Sequence, residues 1–167
     1  MLQLDGIEKP DPAGMIVTGN GKAMVFGTNQ PGHGDGALRY RAPFEKVTGS
    51  RLAVRARYDK VKGATYALIV LNPSKVGLQL WPGDGSMKTL KDFALGKPLQ
   101  PGQDYELELR AVGSTLTARL NGETLGQVED TTFKHGFFMV GLGTGQPVTV
   151  HALEYLDLNM ADGKGER

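Results

Sequence analysis

Hydrophobic and polar residues alternate along this chain with a period of two. Leu52, Val54, Ala56 and Tyr58 interleave with Arg51, Ala53, Arg55 and Arg57. Tyr105, Leu107, Leu109 and Ala111 interleave with Asp104, Glu106, Glu108 and Arg110, and Leu116, Ala118 and Leu120 with Thr115, Thr117 and Arg119. Successive side chains of a strand point to opposite faces, so each segment buries one face and wets the other. The runs from Ala64 to Leu71 and from Phe137 to Leu142 are apolar at nearly every position. They read as central strands, covered on both sides or lying beneath loops. No window holds a helical period.

Turn chemistry separates these runs. Gly19-Asn20-Gly21, Asp84-Gly85, Gly113-Ser114 and Asn121-Gly122 reach positive φ at low cost, as tight hairpins demand. Pro73, Pro82, Pro98, Pro101 and Pro147 fall at strand boundaries, where a missing N–H does no harm. The pattern predicts strands over 15–18, 22–26, 37–42, 50–59, 64–72, 76–81, 86–93, 104–112, 115–120, 123–128, 136–142 and 147–157. Gln30 to Gly36 reads as a glycine-rich loop, residues 1–161 as one domain, and 162–167 as a polar tail. About twelve strands must bury their apolar faces on one another, as two packed sheets or as a barrel.

Composition removes several function classes. The 167 residues contain no cysteine, which excludes disulfides, zinc–thiolate sites and thiol nucleophiles. A net charge of +1 gives no electrostatic case for nucleic acid or for an anionic membrane surface. The start, MLQLDGIEKPDP, has no basic region followed by an apolar core, so no signal peptide is expected. No apolar run approaches the ~20 residues of a membrane span. The compartment is left open.

The C-terminal half carries a resemblance. Leu99 to Tyr105 (LQPGQDY) leads into an alternating strand, and the hairpin Ala111 to Leu116 (AVGSTL) follows. Then come the turn Leu120-Asn121-Gly122-Glu123, the segment Phe133 to Phe137 (FKHGF) and a closing strand, His151 to Leu158. This order resembles the concanavalin A-like lectin/glucanase superfamily, in its laminin G-like and 3-keto-glycoside hydrolase-like branches. The resemblance implies an all-β, antiparallel two-sheet sandwich with jelly-roll connections. It also implies a glycan ligand, or a role as an interaction module of a larger bacterial protein with a protein partner. Fold alone does not carry function.

Asp104, Glu106 and Glu108 form the sharpest catalytic candidate. Their i, i+2, i+4 spacing puts three carboxylates on one strand face, and paired carboxylates hydrolyse glycosidic bonds. The glucanases of the resembled superfamily read Glu-x-Asp-x-Glu, whereas this chain reads Asp-x-Glu-x-Glu and lacks the flanking tryptophan and methionine. The expectation is therefore a solvated strand face, its acids paired to Arg119 or a lysine, and no catalytic residue is assigned.

For binding, Trp81 is the only tryptophan and precedes the turn Pro82-Gly83-Asp84-Gly85. Sugars stack their C–H faces on such rings. Gln79, Tyr66 and Tyr40 are the accompanying candidates, with Arg39 and Arg41 as bidentate donors. Arg39, Arg41, Arg55 and Arg57 could share one face, although a solvated face balanced by Glu106, Glu108 and Asp59 is the plainer expectation. Tyr58 reads as core. His33, His135 and His151 have no second ligand at metal spacing, and Asp35, Asp130 and Asp157 form no recognisable calcium loop. Gly143-Thr144-Gly145-Gln146 lacks the lysine and helix of a phosphate loop, and no dinucleotide fingerprint or Ser-His-Asp arrangement is present. No metal and no cofactor are expected. The reading is a non-catalytic accessory module with glycan as the expected ligand class, against a glycoside hydrolase or a protein-interaction module.

Overall fold

The computed structural model describes residues 2–4, 7–11, 14–18, 23–28, 34–43, 51–57, 64–141, 147–150 and 152–158. Every regular element among them of more than one residue is a β-strand: β1 (Leu2–Leu4), β2 (Ile7–Asp11), β3 (Gly14–Thr18), β4 (Ala23–Thr28), β5 (Gly36–Pro43), β6 (Arg51–Arg57), β7 (Ala64–Asn72), β8 (Lys75–Pro82), β9 (Lys88–Ala94), β10 (Asp104–Val112), β11 (Thr115–Leu120), β12 (Glu123–Glu129), β13 (Phe137–Gly141), β14 (Pro147–Val150) and β15 (Ala152–Asp157). Two antiparallel sheets face each other. One runs β1-β4-β13-β6-β7-β8-β9 and the other β12-β11-β10-β5-β15; β14-β3-β2 form a small third sheet, its β14 lying against β5.

The alternation read in the sequence builds the core. Leu38, Tyr40 and Ala42 on β5 and Leu107, Leu109 and Ala111 on β10 point inward from the five-stranded sheet. Leu52 and Val54 on β6, Tyr66, Leu68 and Val70 on β7, and Val76 and Leu78 on β8 meet them from the seven-stranded sheet. All of these side chains are fully buried. The two apolar runs occupy interior positions, β7 between β6 and β8 and β13 between β4 and β6. The Asn121-Gly122 turn joins β11 to β12 with φ of 52° and 81°, the left-handed pair that a tight hairpin needs. Asn121 also ties this turn to β10: its N–H donates to the Glu106 carbonyl at 2.7 Å, and its Oδ1 accepts from the Glu106 N–H at 2.9 Å.

The strand count departs from the sequence reading at both ends. β1 and β2 lie where no strand was read, because LQL is very short and IEKPD carries a proline and no sustained alternation. The expected strand 147–157 is two strands, with β14 paired to β3 and β15 paired to β5. The expected tail 162–167 lies outside the described residues.

Candidate functional site

The strand registers gather a set of loops at one end of the sandwich. β5 and β7 begin there, β6, β8, β10 and β12 finish there, and β9 and β11 start there. At this end β6 breaks its pattern. Its register with β7 shifts between Val54 and Arg57, and Arg55 adopts φ 56°, which is uncommon for a residue other than glycine. The bulge turns the Arg55 side chain into the protein, where it is 1% exposed.

The buried guanidinium joins three loops. Its Nε donates to the Gly34 carbonyl at 2.8 Å, and its Nη1 donates to the carbonyls of Gly113 at 2.8 Å and Phe133 at 2.9 Å. Nη2 faces Asp35 Oδ1 at 3.4 Å, and the same oxygen accepts the Gly113 N–H at 2.8 Å. Burial pulls the Arg55 pKa down, and the charge of Asp35 opposes that pull. The guanidinium remains charged, because arginine starts so high. Gly136 permits the close approach: a Cβ there would run into the backbone of Arg55 and Ala56, and its φ of 155° is itself outside ordinary L-residue space.

A second anchor stands beside the first. The Tyr66 hydroxyl donates to Asp130 Oδ1 at 2.5 Å and accepts the Phe133 N–H at 3.1 Å. Its ring meets Phe133 edge-on at 5.5 Å between centroids. Burial and the Asp130 hydrogen bond push the Tyr66 hydroxyl up to about 12. For Asp130, burial works against the charge, but hydrogen bonds from Tyr66 and from Thr132 hold the carboxyl below its ordinary value. Between the two anchors lies a pocket of about 320 Å³, with Asp35, Arg55, Ser114, Asp130, Thr131 and Lys134 among its lining. Ser114 is fixed in turn by donating to Glu129 Oε2 at 2.6 Å.

The six candidate binding residues fall into three environments. Trp81 and Gln79 sit on β8 with their side chains on the outward face of the seven-stranded sheet, beside Thr65 and Ala67 of β7. Trp81 is half-buried at the strand's end, and its indole N–H donates to the side-chain oxygen of buried Gln79 at 2.9 Å. Tyr66 and Tyr40 point between the sheets with no exposed surface, so they offer a ligand no ring face. Their even-numbered positions share the inward face with Leu68 and Leu38. Arg39 and Arg41 lie on the outward face of the five-stranded sheet.

The expectation that four arginines could share one face is corrected here. Arg39 and Arg41 belong to β5 and Arg55 and Arg57 to β6, in different sheets, and the bulge buries Arg55. The acidic ladder behaves as a paired strand face, but not as the solvated one expected, since Glu108 is buried among three guanidinium groups. Glu108 contacts Arg39 Nη1 at 3.6 Å through Oε1, and Arg110 Nε at 3.2 Å and Arg119 Nη1 at 3.6 Å through Oε2. Glu106 lies 3.9 Å from Arg39 Nε. The pairing to Arg119 is the one the sequence suggested.

Among the described residues no group of three or more His, Cys, Asp or Glu could hold a metal ion. His33, His151, Tyr58 and the 143–146 segment lie outside the described residues, as does most of the Gln30 to Gly36 loop. Sequence reasoning missed the pocket. It named Asp35 and Asp130 only as calcium candidates, and no glycine, asparagine or proline marks the bulge at Arg55. The paired turns at 113–114 and 130–136 were the available signal.

This geometry has counterparts among solved structures. Carbohydrate binding module CBM66 from Bacillus subtilis superposes with a TM-score of 0.69 at 15% identity, covering 93% of this chain and 94% of that one. Sheep galectin-11 gives 0.58 at 11% identity over 87% and 98%. The fold is the concanavalin A-like jelly roll. A family 7 alginate lyase, A1-II′, shares it with a TM-score of 0.53 at 14% identity over 87% and 81% of the two chains. No family model matches the sequence, and no curated protein matches it.

Proposed function

We propose that this chain is a non-catalytic carbohydrate-binding module whose ligand stacks on Trp81 at the loop-bearing end of the seven-stranded sheet. The observation that carries the proposal is the Trp81–Gln79 hydrogen bond of 2.9 Å, beside Thr65 and Ala67 at the end of the seven-stranded sheet's outward face. A half-exposed indole held by a buried amide has its orientation set before ligand arrives, so little entropy is lost in ordering the protein on binding. Galectin-11 and the CBM66 module, which is named for carbohydrate binding, support the class.

Hydrolysis by the acidic ladder has less behind it, since both Glu108 oxygens contact guanidinium groups and the order of acids departs from the glucanase pattern. A glycan array on the purified chain tests the proposal, followed by calorimetry of wild type and Trp81→Ala against each hit. One stacked ring makes a modest contribution, so affinities on the order of micromolar to millimolar are expected. Binding lost in Trp81→Ala with an unchanged melt supports the assignment. Binding retained in that variant clears Trp81. Turnover of a glycan that disappears in Glu106→Gln overturns the non-catalytic reading.

A further inference from the structure

The pocket between the loops at 34–35, 113–114 and 130–134 is not part of the Trp81 surface, although both lie at the same end of the sandwich. Its chemistry is decided by which groups are already committed. Arg55 directs Nε and Nη1 at three backbone carbonyls and Nη2 at Asp35. The buried cation therefore shapes the wall and does not present itself as a receptor for an anion. Asp35 and Asp130 both line the cavity, and each is pinned by protein donors: Asp35 by Gly113 N–H and Arg55, Asp130 by the Tyr66 hydroxyl and the Thr132 N–H. Pinned carboxylates are strong, directional acceptors for hydroxyl groups, and they repel a carboxylate or sulfate. The exposed Thr131 and Lys134 complete the mouth. A cavity of about 320 Å³ is at the small end of ligand pockets, the size for a single sugar ring.

We propose that this rim pocket is a second subsite that takes one neutral, hydroxyl-bearing sugar residue, with Asp35 and Asp130 accepting its hydroxyls and Arg55 acting as the positioning residue that holds the three loops in place. The subsite rests on the carbohydrate-binding reading above and adds to it a place and a ligand class. A glycan seated in the pocket and lying across Trp81 would engage both.

The test is amide chemical-shift mapping on the isotopically labelled chain. The probes are the methyl glycosides of glucose, galactose and mannose, methyl glucuronide, calcium ion alone, and any glycan-array hit. The expected result is shifts at Gly113, Ser114, Thr131 and Lys134 with a neutral glycoside or array hit, and none with methyl glucuronide. Thr131→Trp, an exposed substitution that fills the mouth, should weaken that binding at least tenfold without moving the melt; the isosteric Asp130→Asn should weaken it as much and also lower the melt, because it takes the charge from the acceptor of the Tyr66 hydroxyl. Shifts confined to Thr65, Gln79 and Trp81 overturn the subsite and leave the Trp81 reading standing. Methyl glucuronide binding as tightly as the neutral glycosides overturns the ligand class. Shifts at the loops with calcium and with no sugar overturn the subsite. An array without hits, together with silence from every glycoside, overturns both readings.

Discussion

β7 and β10 are central strands of nine residues, one in each sheet, and they treat their outward faces in opposite ways. Both bury a row of large apolar side chains inward. Outward, β10 carries Asp104, Glu106, Glu108 and Arg110 beside Arg39, Arg41 and Arg119 of its neighbours, a face of alternating charge that pairs with itself. β7 carries Thr65, Ala67 and Ile69 outward, beside Ala53, Gly77 and Gln79, and the first two are almost fully buried. A strand's inward face is dictated by the core. Its outward face reports what lies against it: counter-charges around buried Glu108, with water reaching Asp104 and Glu106, for β10, and close neighbours over Thr65 and Ala67 for β7.

The comparison breaks most visibly at Ala67, which is 1% exposed. Ala67→Asp buries a charge opposite Ala53 and Gln79, and is expected to cost about 3–5 kcal/mol in denaturant unfolding. A loss below ~1 kcal/mol would show that water reaches this face as it reaches β10's. The inward faces should behave alike: Leu68→Ala and Leu107→Ala, each fully buried in the wild type, should each cost about 2–5 kcal/mol. An unchanged melting temperature in either variant would mean that its strand presents the other face to the core.

Smaller effects sharpen the contrast. Glu108→Gln removes the charge that three guanidinium groups share, and a loss of about 1–2 kcal/mol is expected. Tyr66 on β7 has its hydroxyl raised from 10.0 to about 12 in the folded protein, so the proton is held more tightly folded than unfolded. The stability this contributes is fully present below pH 10 and is lost as pH rises toward 12. Unfolding titrations should show that fall, and Tyr66→Phe should lessen it; an equal slope in both proteins would place the titration elsewhere. Smallest of all, Glu106→Gln should shift stability by no more than ~0.5 kcal/mol, as the Glu106 contact with Arg39 is long and partly exposed. A larger loss would mean that the charge face is cooperative.

The strands with clear alternation or strong apolar runs were legible within a residue or two, including β7, β10, β11 and β12, since burial on one face writes itself into a period of two. The Asn121-Gly122 hairpin was legible because its backbone conformation restricts the residue types that suit it. Trp81 and Gln79 were legible as neighbours on one face, being two residues apart on one strand. Tyr40 and Tyr66 were harder, because an aromatic residue in a strand serves core and platform equally well, and only the packing of the second sheet selects between them.

The alternation along the chain was enough to determine an all-β architecture of packed sheets or a barrel and its principal hairpins, the resemblance implied the sandwich, and composition alone gave a nearly neutral chain without thiol chemistry. Only the tertiary structure decided where the loops meet. Gly34, Arg55, Gly113 and Phe133 are spread over a hundred residues of sequence, and their juxtaposition depends on two sheets closing on each other and on one bulge that turns Arg55 inward. Local pattern records which way a strand's faces point. It holds no record of which loop ends up beside which, because that is set by long-range strand pairing, and the three carbonyls that Arg55 binds are backbone groups that every residue carries.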